Sequence, residues 1–559
     1  MKEISSLIGP PRWYHLIVCL LTFVRAFPSS WTYFTALFVA ADVEHWCSRP
    51  RDSAFANWTE QRWKAEAIPV INNPLLGTDP KYESCRMHPA EALIYNASAV
   101  LVDQSRTVSC DAWSYNESTP GSSAVPEWDL VCQHEWQRSM MTSVVFVGSL
   151  VGSLVMGHMS DRFGRRTVLF FSVFGAALFG SLGAVSPSVK WYNALRFFAC
   201  INIAGIQTSS AALLTEILDP RFRTFLNIGY TAGFSIPSML LPGVAYLLSD
   251  WKLLQLVSGL VALACVPFML VIQESPRWLI TIGREEQAER AISKILKMNR
   301  RKVPNLKSTM HVIAERIQAS STSVFGPIEI LRHRLIRRNT FLLFVVWFCD
   351  NFLVFAVMLG AVDIEGSHLV NFTVSTAAEI PAAFVGLVMV YYCRRKPSQA
   401  ATLILAGIAA AAVELTPPGW PYVGLSMSMA GRFVLILSTS VKWVWTMELF
   451  PTAARGFGFA ACFTVGRVGG IVAPFMGVLG RRLPTDDGGR IRRTEPIHCN
   501  NGFDGRVTPA LPVDEGGEMD LSVDHHGMVS GYRSKTGTED EKKAKTSANS
   551  QQRNLLVYK

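Results

Sequence analysis

Three ionisable residues, Asp350, Glu379 and Arg467, lie inside long apolar runs. A charge in such surroundings is costly and faces a partner or a polar path, so each is a candidate for contact with a solute. Asp350 is surrounded in sequence by Trp347, Phe348, Phe352 and Phe355, and aromatic faces attract ammonium groups. Glu379 precedes Pro381, and Arg467 is flanked by Gly466, Gly469 and Gly470. A guanidinium pairs with a carboxylate through two parallel hydrogen bonds. Both signs of charge beside aromatic faces suit an organic ion. The expected substrate-binding set is Arg467, Glu379, Asp350, Trp347 and Phe352. Arg25, Arg432 and Lys442 also fall in apolar runs. They are expected to pair for structure, with Lys442 also able to snorkel to an interface.

The elements that position these residues are membrane spans. The chain has 559 residues, of which 49% are hydrophobic and 17% charged, against about 25% charged in soluble domains. A spanning helix needs about 20 apolar residues. Eleven runs qualify: about 15–40, 139–158, 167–186, 191–214, 225–248, 252–272, 340–362, 370–393, 400–416, 421–445 and 456–480. They are numbered spans 1 to 11 below. Span 1 is too long for a signal peptide and lacks a small-residue cleavage site. Glu379 and Arg467 both fall near the midpoint of their spans; Arg467, about eleven residues in, sits about 16 Å deep at about 1.5 Å per residue.

A net charge of +10 does not signal nucleic acid here, because the charge is distributed by side. Segment 273–338 carries fourteen Lys/Arg against six Asp/Glu, and 42–137 carries seven against fourteen. Basic loops stay inside, which places 273–338 in the cytoplasm and 42–137 outside. The outer loop holds Cys47, Cys85, Cys110 and Cys132, an even set that suggests two disulfides with three possible connectivities. It also holds the sequons at Asn57, Asn96 and Asn116, candidate glycosylation sites on an exposed loop. Within 273–338, residues 283–318 read as an amphipathic helix with acids first and bases last, which suits the helix dipole.

Between spans 2 and 3 lies Gly157-His-Met-Ser-Asp161-Arg162-Phe-Gly164-Arg165-Arg166. One acid, three arginines and two glycines suit a basic cytoplasmic hairpin that swaps ion pairs as helices rock. Glu216 and Arg223 follow span 4, and Glu448 and Arg455 follow span 10, each as acid, proline, then arginine. The expected gating set is Asp161, Arg162, Gly164, Arg165, Arg166, Glu216, Arg223, Glu448 and Arg455. The hairpin has a degraded counterpart at Arg394-Arg395-Lys396, which lacks the Gly and Asp and is expected to pair more weakly. These echoes divide the chain into a first half (1–272), a cytoplasmic loop (273–338), a second half (339–480) and a polar tail (481–559) that reads as disordered by composition.

There is no Walker loop, HExxH or CxxC pattern, so neither an ATP-driven pump nor an enzyme is indicated, and no cofactor, metal or catalytic residue is expected. Movement of a solute would then run on solute or ion gradients, with sodium or a proton as coupling ion. The expected partners are a small organic ion and the lipid bilayer. Oligomeric state is left open.

The hairpin resembles the loop between helices 2 and 3 of major facilitator superfamily transporters. Glu127-Trp-Asp-Leu-Val-Cys132, Glu274-Ser-Pro-Arg-Trp-Leu-Ile280 and Glu448-Leu-Phe-Pro-Thr452 with Arg455 are similar to motifs of its organic cation, organic anion and carnitine transporter family. They occur in the family's order and cover about residues 10–480. The resemblance implies an all-α membrane fold of two helical halves around a central cavity, a multi-pass protein of the plasma membrane, and secondary transport of small organic ions. Within the family, an Arg at position 467 resembles the anion and carnitine branches, whereas Glu379-Ile-Pro-Ala382 looks like the cation and carnitine branches. The Lys of anion carriers is Ala383 here. Glu379 with Arg467 therefore fits a zwitterion such as carnitine first, an organic cation second and an organic anion third. The family also implies a twelfth span after Gly480. No apolar run follows there, so that helix is missing, and a transport-inactive truncated paralogue acting as an interaction protein is the alternative expectation.

Overall fold

In the computed structural model, the described residues are 7–9, 12–49, 58–71, 81–89, 93–95, 99–101, 106–116, 122–217, 223–320, 334–362, 367–416, 420–450 and 455–482. The helices fall in one unit, Met1–Arg492; a second, Arg493–Lys559, lies outside the described residues. The tail expected at 481–559 is therefore outside them from 483 onward.

Each of the eleven sequence-defined spans coincides with helix. Spans 1 to 6 are Trp13–Val39, Glu135–Phe163, Arg165–Leu182, Val189–Ile217, Arg223–Leu248 and Trp251–Val271; spans 7 to 11 are Arg334–Val362, His368–Tyr392, Arg395–Glu414, Pro421–Leu449 and Arg455–Arg482. Among the described residues ten are long and apolar enough to cross a membrane, and span 5 contributes a shorter apolar stretch, Gly233–Leu248. Large apolar side chains such as Phe171, Leu178 and Ile404 point outward, as lipid-facing residues do.

Proline places the breaks in these helices. Pro28 has no N–H for the carbonyl of Val24, and span 1 divides at Arg25. Pro381 does the same to Ala377, and span 8 divides into His368–Ala377 and Glu379–Tyr392. Glu379 thereby occupies the first turn of a new helix segment, where the helix dipole favours an acid.

Spans 2 and 3 pack on span 4 in the first half; in the second, span 7 packs on span 11 and span 9 on span 10. The halves meet through span 2 against span 11 and span 5 against span 8, contacts that a two-fold relation between halves would exchange. Spans 2 and 4 approach closely because Gly148 and Gly152 carry no Cβ; one at Gly152 would lie 2.7 Å from Ile201 Cα. Across the halves, Ser139 and Ser143 of span 2 donate to Pro474 O and Ile471 O of span 11 at 3.0 and 2.8 Å.

Among the described residues the outer loop forms four antiparallel two-stranded sheets, including His45–Cys47 with Trp113–Tyr115 and Arg86–Met87 with Val108–Ser109. Trp46, Trp58, Trp63 and Ile68 form its small core. Of the three possible connectivities, the bridges are Cys47–Cys110 and Cys85–Cys132.

The inner loop corrects one expectation. It is two helices, Glu285–Met298 and Leu306–Ser320, rather than a single one over 283–318. Pro304 disfavours helix at Val303, and Arg300 and Asn305 take positive φ. Ile292, Ile295 and Leu296 pack into a buried cluster with Leu21, Leu214 and Met269, so the loop sits under the first half. Asn299 fixes it there: its Oδ1 accepts from the backbone N–H of Tyr14 at 3.1 Å, and its carbonyl from Arg12 at 2.9 Å.

Candidate functional site

The hairpin between spans 2 and 3 is tighter than its sequence suggested. Helix continues through Asp161 to Phe163 and restarts at Arg165, leaving Gly164 alone between spans. Gly164 has φ +105°, and a Cβ there would lie 2.4 Å from Glu274 Oε2, so both backbone and space demand glycine. Arg165 joins Asp161 at 2.7 Å and Glu216 at 3.1 Å, which brings together three members of the expected gating set. Arg166 donates to the carbonyl of Met269 at 3.2 Å. The exposed Arg162 lies 5.6 Å over the Phe163 ring. The side chains of Arg223 and Arg455 lie outside the described ones.

Sequence reasoning left Glu274 out of this set. Its carboxylate accepts the backbone N–H groups of Arg165 at 2.9 Å and Arg166 at 3.1 Å, capping the N-terminus of span 3 from a distant segment. Trp278 of the same motif donates from Nε1 to Asp161 O at 2.6 Å. The motif Glu274-Ser-Pro-Arg-Trp was visible; the helix end it serves was not. In the second half, Arg395 makes a two-pronged pair with Glu448, at 3.2 and 3.1 Å. This pair is more exposed, 26% and 50% against 12% and 14% for Arg165–Glu216, in keeping with the weaker pairing expected of that counterpart. An arginine opening span 9 bridges to an acid closing span 10, as Arg165 of span 3 does to Glu216 of span 4.

Within the bundle, both acids have basic partners. Asp350 pairs with Lys442 and accepts hydrogen bonds from Ser438 and Thr439. Glu379 pairs with Arg432 and accepts one from Ser235. All four charged groups are buried. Arg432 and Lys442 thus take the structural role expected of them, and each occupies an acid of the expected substrate-binding set. Arg467 differs. Among the described residues it has no carboxylate at ion-pair distance. Its guanidinium lies 5.3 Å over the Tyr33 ring and 4.6 Å over Phe463, and its Nε is buried without a hydrogen-bond partner.

Tyr33 of the first half and Phe463 of the second face Arg467, and a chain of further rings runs outward from Tyr33. Tyr33 touches Phe146 at 5.5 Å and Phe234 at 6.3 Å, and Phe146 meets Phe355 at 4.3 Å. Span 1 thereby meets the guanidinium of span 11 directly, and spans 2, 5 and 7 join it through rings linked outward from Tyr33. Tyr33, Phe146 and Phe234 escaped the sequence reading because an aromatic in an apolar run looks like packing. Trp347 packs so: it is 1% exposed, donates to Thr446 at 3.0 Å, and contacts Trp443, Phe459 and Phe463. Phe352 stacks on Phe348.

In the outer loop, Asn116 donates from Nδ2 to Glu44 at 2.9 Å; Asn57 and Asn96 lie outside the described residues. His45, Cys85 and Cys132 bring possible metal ligands together, but the two sulfurs are joined to each other.

The model of the Major Facilitator Superfamily matches residues 134–474. The chain belongs to that superfamily. Within it, the chain falls in the organic cation, anion and carnitine transporter family. It is 29% identical to the Organic cation/carnitine transporter 2 of Homo sapiens, over 86% of each chain. It is 29% identical to the Organic cation transporter protein of Drosophila melanogaster, over 81% of this chain and 87% of that one. Identity to Solute carrier family 22 member 6-A of Xenopus laevis is 33%, over 67% and 68%. Among solved structures, the proton:xylose symporter XylE bound to 6-bromo-6-deoxy-D-glucose superposes with a TM-score of 0.51 at 15% identity, covering 83% of this chain and 88% of that one. At that identity the likeness is one of fold alone. The major facilitator chain is thus a multi-pass membrane protein, and its family consists of transporters rather than enzymes.

Proposed function

We propose that this protein is a plasma-membrane secondary transporter of small organic ions that carry a carboxylate, with carnitine-like zwitterions first among them. One observation carries the reading: Arg467 is a guanidinium near the midpoint of span 11, faced by aromatic rings and with no carboxylate partner among the described residues. A substrate carboxylate would complete it through a two-pronged hydrogen bond. Tyr33, Phe146, Phe234 and Phe355 would face the substrate's ammonium. Glu379 would contribute by exchanging Arg432 for that ammonium, and Phe352 by extending the aromatic wall. The latch of Asp161, Arg165, Arg166, Glu216 and Glu274 would hold the cytoplasmic face closed while the halves rock. Asn57, Asn96 and Asn116 would carry glycans outside.

A second reading has its own support. Both buried acids already have bases, so the charge left over in the bundle is positive. That favours organic anions over simple organic cations. Uptake of radiolabelled carnitine, tetraethylammonium and para-aminohippurate into cells, at verified surface expression, tests the proposal. Carnitine uptake alone supports the zwitterion, and para-aminohippurate uptake alone supports the anion. Tetraethylammonium uptake that survives Arg467→Ala unchanged, with carnitine not carried, would overturn both. Surface protein with no uptake would instead fit an interaction protein.

A further inference from the structure

Spans 7, 9 and 10 join Asp350, Ser438, Thr439 and Gln399 in one hydrogen-bonded cluster inside the second half, and its carboxylate pairs with the ammonium of Lys442. The Asp350 carboxylate accepts from Ser438 Oγ at 2.5 Å and Thr439 Oγ1 at 3.0 Å, and pairs with Lys442 Nζ. Gln399 of span 9 donates to Ser438 Oγ at 2.6 Å. The carboxamide oxygen of Gln399 is buried with no hydrogen-bond partner. Asp350, Ser438, Gln399 and Lys442 are each at most 2% exposed. The Lys442 ammonium also lies 4.4 Å over the Trp347 ring.

One carboxylate, two hydroxyls and one carboxamide oxygen form the ligand set that a hard cation takes. Hydroxyls rotate freely, so Ser438 and Thr439 can turn lone pairs inward. A single carboxylate balances a single positive charge, which selects a monovalent cation, because a divalent one would leave net charge in a low-dielectric interior. In this chain the Lys442 ammonium pairs with that carboxylate. We propose that the cluster of Asp350, Ser438, Thr439 and Gln399 is a monovalent cation site which the protein fills with its own Lys442, a tethered stand-in for a coupling ion. The stand-in role rests on the transporter reading. The site itself does not.

Removing the lysine should therefore open the site. Lys442→Ala leaves Asp350 without its counter-charge, a loss that a small cation can make good. Full-length wild type and variant would be purified in detergent and melted in sodium chloride and in choline chloride of equal ionic strength. Wild type should melt at the same temperature in both. Lys442→Ala should melt about 5 °C higher in sodium once sodium reaches about 100 times its dissociation constant. The double variant Asp350→Asn/Lys442→Ala should lose that response. Should Lys442→Ala not purify in choline, Lys442→Ser, which adds an oxygen, carries the same comparison. Recovery of either single variant in sodium alone also supports the site.

Four results would overturn the proposal: no sodium response in the single variant, a response retained in the double variant, an equal response in wild type, or recovery of neither single variant in sodium. Uptake by Lys442→Ala should gain a dependence on sodium. A sodium-dependent melt with no uptake by either protein would count against the transporter reading and leave the cation site standing.

Discussion

Arg467 and Glu379, similar in depth and opposite in sign, should respond differently to mutation because only one of them is already neutralised. On the proposed function, Arg467→Ala removes the docking point for a carboxylate. A hydrogen bond to a charged group contributes about 1.5–3 kcal/mol, so uptake of carboxylate-bearing substrates should fall roughly 10- to 100-fold while surface expression holds. Competition uptake against tetraethylammonium checks whether the loss follows the carboxylate. Glu379→Gln should behave as a folding mutant, since it strands the buried Arg432. Breaking such a pair costs about 3–5 kcal/mol. Surface biotinylation should show the loss, and Glu379→Gln/Arg432→Gln should recover it; equal expression of the single and double variants would refute the pairing. The acids and bases were legible in the sequence because charge in an apolar run stands out. Their pairing was not. Asp350 and Lys442 are 92 positions apart, and Glu379 and Arg432 are 53 apart, so only the packing of spans brings them together.

Between elements, the latch shows which of two ion pairs should govern transport rate. The Arg165–Glu216 pair is shielded, with both side chains under 15% exposed, whereas the Asp161 side chain is 71% exposed. Exposed pairs contribute about 0–1 kcal/mol. Glu216→Gln should thus slow transport more than Asp161→Ala does, measured as initial uptake rate at matched surface expression. Glu274→Ala should slow it as well, because span 3 loses its cap, typically about 1 kcal/mol. Glu274→Gln, which keeps an acceptor, should be milder. In the outer loop, Lys64 and then Asn116 hold the Glu44 carboxyl below its ordinary value. A depressed acid contributes stability above its unfolded pKa of about 4.3 and loses it as pH falls through the lower folded value. Hydrogen exchange around Glu44 and Asn116 should therefore be steady, after correction for intrinsic rate, from neutral pH to about 5, and rise only below about 4; Glu44→Gln should abolish that acid-side rise. Spans were readable from hydropathy, and the charged hairpin between spans 2 and 3 from its residue types. The break at Pro304 and the capping role of Glu274 depend on where distant segments meet.

For the whole molecule, orientation follows from charge. Asn57, Asn96 and Asn116 should accept glycans, seen as a gel shift removed by an endoglycosidase and reduced stepwise by Asn→Gln at each. An epitope inserted near Lys302 should stain only in permeabilised cells; staining of intact cells would reverse the topology. The two-half plan was legible because acid, proline and arginine recur after spans 4 and 10, and the matching Arg165–Glu216 and Arg395–Glu448 bridges give that recurrence a physical form. The disulfides carry a further consequence. Cys47 and Cys85 pair with Cys110 and Cys132 in interleaved order, so each bridge has one end inside the loop closed by the other. A single protease cut anywhere between residues 47 and 132 leaves both products covalently joined, and spans 1 and 2 remain fastened to the outer loop. A carrier nicked in this region would run at full length on a non-reducing gel and fall into two pieces only when a thiol is added.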